Sequence, residues 1–162
     1  MNNLLMIVDG NGQYTDGKHV QLGTVDESFY INLLNAIDDY DVIIYQMNLP
    51  HLKTEEEFIT AMQVDPFLTL VPADKKNKII VIKHGLFTPL EWTTEGVSIQ
   101  DEFAKQGYDF TLCGLYTDWC VQENYEILKS RLSKFNTSVG INRFLSRPSS
   151  AYVENNNFGR RK

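Results

Sequence analysis

The chain has few cysteines and no long apolar run, and these absences argue against a disulfide framework, a structural zinc site and a membrane-spanning helix. Its 162 residues include two cysteines, Cys113 and Cys120, which form no C-x-x-C pair and are too few for a disulfide framework or a structural zinc site. No segment approaches the ~20 consecutive apolar residues that cross a bilayer, and no basic region followed by a cleavable apolar segment opens the chain. We therefore expect a cytoplasmic protein with two free thiols and no membrane contact.

The chain also lacks any long block of one charge. Its formal net charge is −6, with acidic and basic residues interspersed, so the surface offers no broad electrostatic footprint for nucleic acid or anionic lipid. A hydrophobic content of 43% is enough to bury one substantial core. We expect a single domain over residues 1–162 with a flexible tail from about residue 155, and a small-molecule partner.

Five short apolar runs predict β-strands. Their apolar character is continuous rather than alternating, which is typical of strands buried on both faces of a parallel sheet. The runs cover residues 4–8, 42–45, 79–82, 110–113 and 138–141.

The segments between these runs predict helices. A stripe of Phe29, Leu33 and Ile37 predicts a helix over about residues 27–39. Thr54 and Glu57 form a capping-box pattern for a second helix, which stops before Asp65 because the following proline disfavours helical geometry there.

Two further helices are predicted in the second half of the chain. Ser98 and Asp101 indicate the start of one that ends near Gly107. The last helix has the longest apolar stripe, with Asp118 placed to cap its N-terminus; its members are Val121, Tyr125, Leu128 and Leu132.

Strands that alternate with helices imply parallel pairing through right-handed crossovers. The predicted fold is a Rossmann-like α/β protein, a three-layer α/β/α sandwich with a mainly parallel sheet of five or six strands. In such sheets the ligand crevice lies beyond the carboxyl ends of the strands. Residues that directly follow strands are therefore candidates for function.

Three chemically useful side chains follow three of the predicted strands. Asp9 follows the first, Lys83 the third, and Cys120 lies just beyond the fourth at the start of the longest predicted helix. A helix N-terminus and a nearby ammonium both lower a thiol pKa and favour the thiolate. Asp9 could then take the thiol proton and return it to a leaving amine, as acyl transfer requires.

Each of these residues also has a structural interpretation. Cysteine is often a small buried hydrophobe, which is how we interpret Cys113 inside the fourth strand, and aspartate after a strand is often a turn residue. His84 is an alternative partner for Cys120, although strand alternation points it to the side opposite Lys83. The loop from Asp9 to Gln13 fits neither a calcium loop nor a dinucleotide fingerprint.

At these same positions the sequence resembles the isochorismatase-like cysteine hydrolases, which include nicotinamidases and carbamoylsarcosine amidases. Residues 113–121, CGLYTDWCV, resemble the G-x-x-T-D-x-C-V nucleophile signature of that family. Residues 4–9, LLMIVD, resemble its opening strand and aspartate, and residues 80–83, IVIK, followed by Phe87-Thr88, resemble its lysine segment.

The resemblance implies a triad of Asp9, Lys83 and Cys120. It also implies a cis peptide between Leu115 and Tyr116, and an oxyanion hole formed by the N–H groups of Tyr116 and Cys120.

The sequence departs from the family at its metal ligands and in its first loop. The Asp-x-His pair with which nicotinamidases hold a metal is absent from residues 46–51, so His51 is interpreted as a loop residue, and we expect no metal and no other cofactor. Asn11 and Tyr14 fall where the family has a Gln-Asn-Asp-Phe run. We expect Asn11, Tyr14, Phe87 and Trp119 to bind the substrate, the three aromatic rings suiting a flat, uncharged group.

The sequence thus predicts a cysteine hydrolase that cleaves a small amide through a thioester. The alternative is a catalytically silent binding or regulatory protein that keeps the pocket without turnover. The altered first loop and the short C-terminus favour this alternative. A vinyl-ether hydrolase is a third possibility, but it needs no cysteine nucleophile. We expect a homo-oligomer, with a partner subunit able to complete the short C-terminus.

Overall fold

The structure is a computed structural model that describes residues 2–10, 13–15, 18–20, 27–49, 54–84 and 94–148. The strands within these residues are β1 (Asn3–Val8), β2 (Gln13–Thr15), β3 (Lys18–Val20), β4 (Val42–Asn48), β5 (Ile79–His84), β6 (Asp109–Leu115) and β7 (Val139–Arg147). The α-helices are α1 (Glu27–Ala36), α2 (Glu55–Gln63), α3 (Thr94–Lys105) and α4 (Gln122–Arg131).

Five of the strands form one parallel sheet in the order β5-β4-β1-β6-β7. The chain builds outward from β1 to β4 and β5, then crosses back to place β6 on the other side of β1. The order therefore reverses between β1 and β6, and the crevice beyond the carboxyl ends of these two strands is the expected ligand position.

Both faces of this sheet are covered, which explains the continuous apolar runs in its strands. Leu5 and Ile7 of β1 point into a first core cluster with Phe29 of α1. Leu4, Met6 and Val8 point into a second cluster that contains residues of α3 and α4, namely Ala104 and Leu128. The predicted α/β fold with a parallel five-stranded sheet is confirmed.

The structure corrects the predicted start of the third helix. α3 begins at Thr94, so Ser98 and Asp101 lie inside the helix and do not cap it. The Asp101 carboxylate instead lies 3.3 Å from Nε of Arg131 on α4. Asp101 therefore forms an ion pair between two helices, and a local capping pattern cannot reveal such a partner.

Two short strands were not predicted. β2 and β3 pair antiparallel as a separate two-stranded sheet, with Thr15 opposite Lys18. Neither strand has the aliphatic run that marks the five strands of the main sheet.

Candidate active site

Asp9 lies at the carboxyl end of β1 and is 5% exposed. Its backbone N–H donates to the Gln46 carbonyl of β4 at 3.0 Å, which extends the β1–β4 ladder by one step. Its φ of 51° is in the left-handed region, which aspartate tolerates better than most residues but which still costs on the order of 1 kcal/mol. Backbone strain of this kind is common at functional sites.

The peptide that follows Asp9 is held from two sides. The Tyr30 hydroxyl of α1 donates to the Gly10 carbonyl at 2.8 Å. The Tyr45 ring of β4 would lie 3.0 Å from a Cβ placed on Gly10, and the Tyr45 hydroxyl is itself fixed by donating to Oδ1 of the buried Asp65 at 3.0 Å. Two buried tyrosines therefore fix the direction in which the chain leaves Asp9.

A close approach of β6 to β1 brings residues 113–121 close to Asp9. Gly114 pairs with Val8 in the sheet and has a φ of 124°. A Cβ at this position would lie 2.1 Å from the Val8 carbonyl oxygen. Only glycine fits, because both the conformation and the contact exclude a side chain.

Cys120 lies in a tight turn between β6 and α4. This turn, Thr117–Val121, contains a non-helical residue, Trp119. The Tyr116 carbonyl accepts the N–H groups on either side of Cys120, from Trp119 at 3.0 Å and from Val121 at 3.1 Å. The Leu115–Tyr116 peptide bond before this turn is cis, at the position that the family resemblance implies.

Asn124 holds the backbone of Cys120 from the first turn of α4. Its side-chain Nδ2 donates to the Cys120 carbonyl at 2.7 Å. The predicted capping role of Asp118 is wrong, because Val121 occupies the N-cap position of α4 and Asp118 lies within the preceding turn. α4 is also shorter than α3, so Cys120 does not precede the longest helix.

The structure brings Cys120 and Asp9 together. The Cys120 thiol lies close enough to the Asp9 carboxylate for the two groups to interact. Burial raises the pKa of this thiol above its ordinary value, and the negative charge of Asp9, the hydrogen bond to it and the charge of Glu123 raise it further. The sequence predicts a lowered pKa and a resting thiolate, but burial and the adjacent carboxylate favour the neutral thiol.

Lys83 occupies the end of β5, where it pairs with Met47 of β4. β5 is two strands from β1 in the sheet, so the Lys83 backbone is roughly 10 Å to the side of the β1 end at ~4.8 Å per strand. An extended lysine side chain covers much of that distance. The Lys83 and His84 side chains lie outside the described part of the chain, so the roles considered for them stay predictions.

Of the four expected substrate-binding residues, the structure describes the side chain of one. Trp119 is 44% exposed beside Cys120 and packs edge-to-face against Tyr116 with ring centroids 5.8 Å apart. Asn11 and Phe87 lie outside the described residues, and Tyr14 belongs to β2 with its side chain undescribed. Trp119 thus presents an exposed aromatic ring next to Cys120.

No group of three or more His, Cys, Asp and Glu in the described ranges could hold a metal ion. His51 is outside those ranges, so the expectation of a metal-free site stays a prediction. Cys113, in contrast, lies in the core as predicted, and burial raises the pKa of its thiol.

A cavity of about 390 Å³ lies elsewhere, between α2 and the edge strand β5, where Ile59, Met62, Ile79 and Val81 line it. It does not include Asp9 or Cys120.

Among the described helices, none is long and apolar enough to cross a membrane.

Sequence reasoning missed three residues that shape the site. Tyr30 and Asn124 hold the backbone of Asp9–Gly10 and of Cys120 through single hydrogen bonds, and neither gives a motif. The sequence does carry one indication that Gln46 belongs to the site. A glutamine directly after the aliphatic run of β4 is unusual in a strand buried on both faces.

Comparison with known proteins defines the fold class of the molecule. No protein-family model matches the chain, and no curated protein matches it. The chain is similar in structure to the crystal structure of PnC1 from L. infantum in complex with nicotinate, with a TM-score of 0.57 and 14% identity over 95% of this chain and 86% of that chain. At this identity the similarity shows the fold alone.

Proposed function

We propose that the protein is an amidase-type cysteine hydrolase in which Cys120 is the nucleophile, Asp9 the general base and acid, and Lys83 their electrostatic partner. The observation that carries this proposal is the position of Cys120 beside Asp9: β6 pairs with β1 at Gly114 and Val8, and the negative charge of Asp9 acts on the Cys120 thiol. It joins a nucleophile to a base at the strand ends where the sheet order reverses.

The first step transfers the Sγ proton of Cys120 to Asp9 while sulfur attacks the carbonyl carbon of a small amide. The carbonyl π electrons move to oxygen, and the N–H groups of Tyr116 and Cys120 stabilise the oxyanion. When the tetrahedral intermediate collapses, the C–N bond breaks and Asp9 returns the proton to the leaving nitrogen. Ammonia or an amine departs and a thioester remains on Cys120.

The second step hydrolyses the thioester. Asp9, again a carboxylate, takes a proton from water as the water oxygen attacks the acyl carbon, and the C–S bond then breaks. The proton on Asp9 returns to the Cys120 sulfur, and a carboxylic acid leaves. Lys83 stabilises the transient thiolate and orients Asp9 in both steps.

The raised pKa of Cys120 is consistent with this scheme. A neutral thiol beside a carboxylate keeps its proton close to the base, so the thiolate need form only as the substrate is attacked. The similarity in fold to PnC1, solved with nicotinate, supports a small substrate with a carboxyl-derived group on a flat ring. The exposed Trp119 ring would pack against such a group.

The proposal is tested by measuring ammonia release from a panel of small amides that includes nicotinamide. Cys120→Ala should reduce turnover by at least about 1,000-fold. Cys113→Ala is the matched control, because it removes the other thiol from the core and should retain turnover. Release of ammonia that survives Cys120→Ala would rule out the mechanism.

Thiol labelling gives an independent test. Cys113 is fully buried whereas Cys120 is partly exposed, so mass spectrometry after iodoacetamide treatment should show faster labelling of Cys120. Equal and slow labelling of both thiols would contradict a nucleophilic Cys120.

One observation favours the alternative of a catalytically silent binding protein. The same burial and negative charges that hold Cys120 neutral would also keep it unreactive if Lys83 did not compensate them. Under this alternative the amide panel would bind without releasing ammonia, and Cys120→Ala would leave the binding affinities unchanged.

A further inference from the structure

Gln46 has a buried amide that is not hydrogen-bonded by any described residue. Its side chain is 0% exposed, and neither Nε2 nor Oε1 has a hydrogen-bond partner within the described residues. Buried polar groups are nearly always paired, since an unpaired one loses its hydration without compensation. An aliphatic side chain in this strand would avoid that loss.

A second buried glutamine, on the same face of the sheet, has an amide that is hydrogen-bonded. Gln100 of α3 is also 0% exposed. Its Oε1 accepts a hydrogen bond from Arg131 of α4, and its Nε2 lies 3.6 Å from the Met6 sulfur. The Gln100 amide thus helps to hold α3, α4 and the sheet together, whereas the Gln46 amide makes no hydrogen bond to the described residues.

The position of Gln46 connects it to the candidate active site. Its backbone carbonyl accepts the Asp9 N–H, and it pairs in the sheet with Val8 and Ile82. Side chains alternate along a strand, and Ile44, Val8 and Ile82 all belong to the second core cluster, against which Cys120 also packs. The Gln46 amide therefore lies on the Cys120 face of the sheet, one strand from Asp9.

The chemistry of the free amide indicates what would satisfy it. A carboxamide presents an N–H donor and a carbonyl acceptor side by side, and its complement is a neutral group with an acceptor next to a donor. Amides, ureido groups and lactam edges have this arrangement. A carboxylate does not, because it has no donor for Oε1 and would bring a second negative charge close to Asp9.

We propose that Gln46 is a specificity residue that binds a second amide, ureido or lactam edge of the substrate, so that the enzyme selects neutral substrates over the corresponding carboxylates. This inference rests on the proposed function, because it concerns the same site. Enclosure of Gln46 strengthens the selection, since a buried amide left unpaired by the wrong ligand is strongly disfavoured.

The first experiment measures thermal stability without ligand. Gln46→Met replaces the amide with an apolar side chain of similar shape, and it should raise the Tm by about 2 °C or more. Gln100→Met is the matched control and should lower the Tm, because it removes a partner of Arg131. A Gln46→Met variant that loses stability as Gln100→Met does would show that the amide is satisfied within the fold and would overturn the inference.

The second experiment measures binding by calorimetry in the Cys120→Ala background, where turnover cannot interfere. The probes are diamides and their half acids in matched pairs: oxamide with oxamate, malonamide with malonamate, and succinamide with succinamate. At least one diamide should bind more tightly than its half acid, and Gln46→Met should weaken that diamide at least tenfold while Gln100→Met leaves it unchanged. The inference fails if no diamide binds, if half acids bind equally well, or if Gln46→Met has no effect on the affinity.

The two proposals fail in different ways. Ammonia release that is independent of Cys120 would reject the hydrolase mechanism but would leave the diamide preference and its loss in Gln46→Met intact. Catalysis that requires Cys120 but shows no diamide preference would reject the role of Gln46 alone.

Discussion

Cys120 lies beside Asp9 across the junction of β6 and β1, and the negative charge of Asp9 raises the pKa of the Cys120 thiol. Asp9→Asn removes the charge, so the pKa of Cys120 should fall and more thiolate should be present at any given pH below it. The pH midpoint of iodoacetamide labelling at Cys120 should therefore move to lower pH, while ammonia release is lost because asparagine cannot accept the proton.

Glu123→Gln is the control for this prediction. Glu123 also raises the pKa of Cys120, but it is the weakest of the four causes. Its substitution should move the labelling midpoint less and preserve turnover. An unchanged labelling curve in Asp9→Asn would mean that the two side chains are not coupled.

Tyr30→Phe should impair turnover through the backbone at Asp9. The substitution removes the donor to the buried Gly10 carbonyl, which should cost about 1–3 kcal/mol of unfolding free energy and loosen the orientation of Asp9. We expect kcat to fall several-fold with a smaller change in KM, measured by steady-state ammonia release and urea unfolding.

Tyr108→Phe is the matched control, because the Tyr108 ring packs edge-on against Phe103 just before the start of β6, at the opposite edge of the sheet. It should leave kcat unchanged. A Tyr30→Phe variant with normal kcat would show that Gly10 needs no hydroxyl to hold it.

Gly114→Ala should be among the most destabilising single substitutions in the chain. The added Cβ would meet the Val8 backbone at 2.1 Å, so β1 and β6 would have to separate, at a cost of at least about 4 kcal/mol. Urea unfolding of Gly140→Ala provides the comparison, since no atom of the described residues lies within 4 Å of a Cβ at Gly140. Its stability should change by no more than about 0.5 kcal/mol. Similar unfolding curves for the two variants would contradict the close approach of the strands.

Thr54→Ala should lower stability without changing turnover. The Thr54 hydroxyl accepts the Glu57 N–H at 3.1 Å, and the Glu57 carboxylate accepts the Thr54 N–H at 3.1 Å. Loss of this capping box should cost about 1 kcal/mol. Thr60→Ala on the same helix removes only a hydroxyl that donates to the Glu56 carbonyl; it should have a smaller effect on urea unfolding, and equal effects would argue against the cap.

The sequence was sufficient to predict the order of the main elements. Each strand of the main sheet contains an aliphatic run, and the structure extends the strand beyond that run where polar residues continue it, as at Gln46 and Asn48 of β4 or Lys83 and His84 of β5. These extensions were missed because polar residues at a strand end look like a loop in sequence.

The placement of Asp9 and Cys120 at adjoining strand ends could also be inferred in advance, but their electrostatics could not. The helix N-terminus suggested a lowered thiol pKa, whereas burial and the charge of Asp9 act in the opposite direction. Burial depends on packing between distant segments. For the same reason the partner of Asp101, which is Arg131 on another helix, could not be read from a local pattern.

The contact of Gly114 with the Val8 backbone has a consequence for engineering. It makes the spacing between Asp9 and Cys120 a property of the hydrogen-bonded sheet, so the connections between strands do not set it. Loops from a related scaffold could therefore be grafted beyond the strand ends to change what the protein accepts, and the two reacting groups would keep their alignment.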